Sequence, residues 1–142
     1  MIRKSKEEIL KTLKKAGYRM TKHRQAIISI IAKRQDHPSV RQIYDQIRRK
    51  EPEISLATVY NIVNMLVEMK ILRKIEFEES DNCFDTNLAP HINLVCTVCG
   101  SINDFEYDIP VASEVIQAQE GFVTKEYRIE YRGICNNCQR KK

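Results

Sequence analysis

The chain has 142 residues, enough to bury a real core as one domain or as two small lobes. No apolar run is long enough to cross a bilayer, and the charged opening MIRKSKEEIL lacks the apolar stretch of a secretory signal, so a cytoplasmic protein with no membrane partner is expected. The net charge of +5 conceals an asymmetry: residues 1–74 carry 18 Lys/Arg against 7 Asp/Glu, and residues 75–142 carry 6 against 12. A basic half joined to an acidic half suggests a polyanion at one end and different work at the other, with solvated helix faces as the plainer reading.

The first half is helical by period and by caps. SKEEILKTLKKAG begins with a capping box, Ser5 with Glu8, and stops at Gly17; Ile9, Leu10 and Leu13 form its apolar stripe. KHRQAIISIIAKRQ predicts a second helix burying Ile27, Ile28, Ile30 and Ile31. A third follows Pro38, where Ser39 and Gln42 make another capping box and Val40, Ile43, Tyr44 and Ile47 face inward. Pro52 ends that helix and Ser55 is a good N-cap for the next, LATVYNIVNMLVEMK, with Leu56, Val59, Ile62, Val63 and Leu66 inside. ILRKIEFEE and NCFDT then read as extended runs flanking a Ser80–Asp81 turn, a β-hairpin. Helix–turn–helix followed by a hairpin is the layout of a winged-helix DNA-binding domain.

The second half alternates differently. HINLVC and SINDFEY read as strands around a Cys-x-x-Cys-Gly knuckle, VASEVIQAQEG as a short helix closed by Gly121, and FVTKEYRIEYRGIC as one long strand. The expectation is an α+β protein: an N-terminal winged helix over residues 1–82, a hinge over 83–90, and a small α/β domain over 91–142.

Cys96, Cys99, Cys135 and Cys138 form two Cys-x-x-Cys knuckles, each able to present both sulfurs to one ion. Together they would complete a closed tetrahedral shell, hence a structural Zn2+ with no position for substrate. A redox pair or two disulfides are the alternatives.

At this point the chain resembles the ferric uptake regulator family over nearly its whole length. The stretches that carry the likeness are RMTKHRQAI, HPSVRQIY, PEISLATVYN, the Phe84-Asp85 pair, HINLVCTVCG, the Asp104-Phe105 pair and the closing GICNNC. The resemblance implies a homodimer, a four-cysteine zinc in the dimerisation domain, and a regulatory metal between the lobes. Its ligands would be His37, Asp85, His91 and Asp104, with Asn93 at a fifth position where a second histidine is usual. Asp104, where iron-responsive members tend to have glutamate, looks most like the peroxide-responsive branch. The expected function is a metal-dependent transcriptional repressor sensing peroxide or a divalent metal. The alternative is an iron, manganese or zinc uptake regulator without peroxide chemistry.

The residue chemistry is compatible with that site. Mixed imidazole and carboxylate donors suit Fe2+ or Mn2+, with Zn2+ also in play. Asn93 offers a neutral amide oxygen, weaker than imidazole, and Cys83 lies on the same strand face as Asp85 as a replacement donor, or as an unreactive half-buried cysteine. His23 is expected to face solvent or phosphate. No nucleophile or oxyanion device is evident, so an enzyme is not expected. On the fourth helix Ala57, Thr58, Tyr60, Asn61 and Asn64 are candidates for reading bases, although Tyr60 lies at the edge of the apolar stripe. Amide and methyl groups without Lys or Arg suggest an A/T-rich palindromic operator in double-stranded DNA. Lys14, Lys15, Arg19, Lys22, Arg24 and Arg41 are the candidate phosphate contacts.

Overall fold

The computed structural model describes residues 3–76, 81–108 and 112–141. It divides into two compact units, Met1–Ala89 and Pro90–Lys142.

The first unit carries α1 (Lys6–Lys15), α2 (Lys22–Lys33), α3 (Val40–Ile47) and α4 (Leu56–Glu68), then β1 (Arg73–Ile75) and β2 (Cys83–Asp85). Each of these helices starts where a hydroxyl side chain satisfies an orphan N–H. Ser5, Thr21, Ser39 and Ser55 accept from the backbone of Glu8, Arg24, Gln42 and Thr58, and Ser5 and Ser39 complete reciprocal capping boxes. Gly17 ends α1 in the left-handed region (φ 87°), with Tyr18 N–H donating back to the Leu13 carbonyl. The same ending closes α4, but there Lys70 takes the left-handed position (φ 57°), and Ile71 N–H donates to the Leu66 carbonyl. A side chain at such a position costs roughly 1–2 kcal/mol relative to glycine, a cost the packed fold overrides.

The apolar stripes meet in one core. Leu13, Ile27, Ile28, Ile43, Ile47, Val59, Val63 and Leu66 are fully buried, while Leu10, Tyr44 and Leu56 pack at its margin. β1 and β2 pair antiparallel with Lys74 opposite Phe84, so Phe84 turns into the core and the pair forms the wing of a winged helix. Cys83–Asp85, at the start of the segment read as a hinge, thus belongs to the wing sheet. The Ser80 position of the expected hairpin turn lies outside the described residues.

The second unit holds a three-stranded sheet in the order β4-β3-β5, from β3 (Ile92–Cys96), β4 (Ile102–Phe105) and β5 (Ile129–Gly133). β3 runs antiparallel to β4 and parallel to β5, and α5 (Ser113–Glu120) lies between β4 and β5 in sequence. Gly121 caps α5 in the left-handed region, as its position after the periodic run suggests. A short α6 (Asn136–Arg140), not anticipated from the sequence, follows the last knuckle's first cysteine.

The long strand expected over 122–135 is a correction: only Ile129–Gly133 is strand, and residues 122–128 are not. Alternation supplies a two-faced strand, but a strand also needs a hydrogen-bonding neighbour, and among the described residues β5 pairs with β3 alone, over its five residues. Phe122, Val123, Tyr127 and Tyr131 remain exposed, and among the described residues α5 buries none. No helix among the described residues is long and apolar enough to cross a membrane.

Candidate metal centres and nucleic-acid face

The four cysteines converge in the second unit. One Sγ from each lies within 4.8 Å of the others. Cys96 ends β3, Cys99 lies in the turn after it, and Cys135 and Cys138 flank the start of α6. Cys99 and Cys135 sulfurs stand 3.8 Å apart. A tetrahedral zinc with bonds of about 2.3 Å requires S–S edges of about 3.8 Å, so the donors fit that ion. Cys135 N–H donates to Cys96 Sγ at 3.3 Å, and that bond, with one from Cys99 N–H, brings the Cys96 thiol down to about 6. For Cys99 the Ser101 side chain first, and then its backbone, lowers the thiol. Cys138 is pushed up to about 12, first because its thiol proton is hydrogen-bonded with the Cys135 sulfur and then by desolvation. A divalent cation reverses that shift.

In the first unit His37 and Asp85 form a pair. Pro38 carbonyl accepts from Phe84 N–H at 2.9 Å and Ser39 bridges Cys83, which fastens the residue after His37 to β2. His37 Nε2 lies 3.6 Å from Asp85 Oδ2, both side chains almost wholly buried. The other carboxylate oxygen, Oδ1, accepts Asn87 N–H at 2.8 Å, and Asn87 Oδ1 in turn accepts Ala89 N–H at 3.1 Å. These two side-chain turns in series hold the backbone after Asp85.

In the second unit His91, Asn93 and Asp104 share one face of the sheet, because His91 and Asn93 are two apart and Asn93 is paired with Asp104 across β3 and β4. His91 Nε2 lies 3.2 Å from Asn93 Oδ1 and 3.5 Å from Asp104 Oδ1. Two donors on one ion at about 2.0–2.2 Å sit about 3–3.5 Å apart, so each set is spaced for shared coordination. The amide of Asn93 is turned with its oxygen toward the imidazole.

Cys83 joins none of the groups of converging ligand atoms among the described residues. It is half-buried; burial first, then Asp81 and Asp36, pushes its thiol above the ordinary range. A thiol pushed up keeps its proton at neutral pH and is a poor nucleophile. Cys83 should therefore be alkylated by iodoacetamide at pH 7 more slowly than a free cysteine, and Cys83→Ser should leave bound metal per chain unchanged. Peptide mass spectrometry and metal analysis check both.

The basic face has mixed composition. Ala57, Tyr60, Asn61 and Asn64 on α4 are exposed, which places Tyr60 at the surface and not in the core. Thr58 is half-buried and its hydroxyl lies 2.9 Å from that of Ser55. Lys14, Lys15, Arg19, Lys22 and Arg41 are exposed. Arg24 is partly engaged, donating to the Arg19 carbonyl at 2.7 Å and lying over the Tyr18 ring. His23 departs from expectation: its Nδ1 faces buried Glu51 Oε2 at 3.2 Å. Glu51 and Glu53 carry no motif that would have singled them out.

Residues 15–132 match the model of the Ferric uptake regulator family. The chain is 33% identical over 134 residues, 94% of this chain and 89% of the other, to the peroxide-responsive repressor PerR of Staphylococcus epidermidis (strain ATCC 12228 / FDA PCI 1200). Among solved structures it is similar to the Campylobacter jejuni peroxide stress regulator, with a TM-score of 0.69 and 30% identity, covering 92% of this chain and 99% of that one. The Helicobacter pylori ferric uptake regulator Fur shares the fold, with a TM-score of 0.75 over 98% of this chain and 97% of that one, at 24% identity.

Proposed function

This chain belongs to the ferric uptake regulator family, and from that premise we propose that it is a homodimeric, metal-dependent transcriptional repressor and not an enzyme. The observation that carries the reading is the pair of half-sites, His37 with Asp85 in one unit and His91 with Asn93 and Asp104 in the other, each spaced for a shared cation. His37, Asp85, His91 and Asp104, with the amide oxygen of Asn93, would hold one regulatory Fe2+ or Mn2+, while the four cysteines would hold a structural Zn2+. An ion held by donors from both units would favour the shape in which two winged helices match two operator half-sites, and its loss would shift the population away from it.

The exposed amides and aromatic ring of α4 support reading of A/T-rich base edges in a palindromic operator, and Lys14, Lys15, Arg19 and Lys22 support phosphate contact. The exposed apolar side chains Phe105, Tyr107, Phe122, Val123 and Tyr131 support dimerisation through the second unit. Such a regulator works in the cytoplasm.

Likeness to two peroxide-responsive regulators favours peroxide as the signal. Fe2+ held by these residues would supply the redox chemistry toward hydrogen peroxide. In that reading His37 and His91 would be the imidazoles that take up oxygen from peroxide and so lose their hold on the ion. Asn93 favours the second reading, an uptake regulator indifferent to peroxide, because it leaves one imidazole fewer at the site.

Operator binding by zinc-loaded protein should rise with added Fe2+ or Mn2+ and fall with a chelator. After peroxide, the iron-loaded protein should carry one added oxygen on the peptide containing His37 or His91. DNA binding that ignores both metal and chelator overturns the sensor. Metal-dependent binding without oxygen uptake leaves the uptake regulator.

A further inference from the structure

The turn between α3 and α4 holds a carboxylate that its surroundings do not account for. The Glu51 side chain is 7% exposed. Its Oε2 lies 3.2 Å from His23 Nδ1 at the start of α2, yet both atoms are buried and neither makes a hydrogen bond among the described residues. The approach is close, but the ring N–H is not aimed along it. Among the described residues the ammonium near Oε2 is Lys22 Nζ at 3.6 Å, on a side chain 75% exposed, so little of the carboxylate's lost hydration is replaced there. Glu53, two residues on, brings a second carboxylate: one donor atom from each of His23, Glu51 and Glu53 lies within 4.8 Å of the others. A nitrogen and an oxygen 3.2 Å apart with no hydrogen bond between them match the edge of a coordination shell with bonds of about 2.0–2.2 Å.

We propose that His23, Glu51 and Glu53 form a divalent-cation site in the winged-helix unit, separate from the cysteine cluster and from both His/Asp half-sites. One imidazole nitrogen and two carboxylates, with remaining positions open to water, suit a first-row divalent ion such as Mn2+ or Zn2+. Glu51 and His23 already stand at ligand spacing; the exposed Glu53 side chain closes the set by rotation. Lys22, 3.6 Å from Glu51 and 3.9 Å from Glu53, occupies the counter-charge position and is displaced toward solvent when the cation takes it. The bound ion ties the first turn of α2 to the segment that leads into the Ser55 cap of α4. Occupancy therefore stiffens the helix–turn–helix and leaves an extra ammonium on its basic face.

The inference does not depend on the regulatory site, since every ligand lies within one unit. The test is a Mn2+ titration of the full zinc-loaded chain followed by 15N–1H spectra. Paramagnetic broadening should erase the amide signals of residues 22–24, Glu51 and Glu53 in the wild type. His23→Gln and Glu53→Gln, at partly exposed positions, should each retain those signals at the same Mn2+ concentration and bind one ion fewer per chain. Absence of broadening there in the wild type overturns the site, as does equal broadening in both variants. Signals beside His37 and His91 report the regulatory centre independently in the same spectra.

Discussion

Cys135→Ser will unfold the second unit and leave the first one folded. Among its described residues the second unit buries as apolar groups only Ile92 and Val95 beside the ligand Cys96, and the two aliphatic side chains contribute about 1.5–3 kcal/mol each. Fixing a backbone costs roughly 1–2 kcal/mol per residue, so two buried aliphatic side chains cannot order three strands and two helices. A structural zinc supplies on the order of 10–16 kcal/mol in small domains, and the four sulfurs are already at its spacing. The first unit has its own core of fully buried Ile, Leu and Val and loses nothing directly. The expected result is retained helical circular dichroism, absence of bound zinc, loss of amide protection over residues 91–140, and a monomer by sedimentation. A dimer with normal protection would show that the cysteines do not hold the unit together.

Acidification should act through the same cluster. Cys96, held down to about 6 from the ordinary 9.0, contributes stability above its ordinary range and loses it as the pH falls through about 6. Cys138, pushed up to about 12, has the opposite sign: its contribution is present below 9.0 and is lost as the pH rises through about 12.

Asn93→His is the second large effect, and it concerns the regulatory site. The amide oxygen stands 3.2 Å from His91 Nε2, on the face that also carries Asp104. An imidazole there replaces a weak neutral oxygen with a nitrogen donor that first-row metals prefer. Affinity for Fe2+ or Mn2+ should rise by about tenfold or more, or about 1.4 kcal/mol per factor of ten, while zinc in the cysteine cluster stays constant. His91→Ala should remove measurable binding at the same metal concentrations. Equilibrium dialysis measures both. Equal affinity in wild type and Asn93→His would place residue 93 outside the coordination shell.

Much of the molecule is legible in local chemistry. Helices α1 to α4 could be placed because their caps and apolar periods lie within a few residues of one another. The thiol cluster was legible because each Cys-x-x-Cys turn is itself a local device. By contrast, the alternation through residues 122–128 says which face is apolar but not whether a neighbouring strand is present to pair with it.

Short-range spacing specifies the caps, the helical core and the thiol knuckles, and composition specifies the charge asymmetry. Tertiary structure alone decided that Asn93 turns its oxygen to His91, that Asp85 is braced by Asn87, and that His23 meets Glu51 across 28 positions of sequence. The reason is physical: which polar groups share a buried space depends on how distant helices and strands pack, and no periodicity in the chain records that.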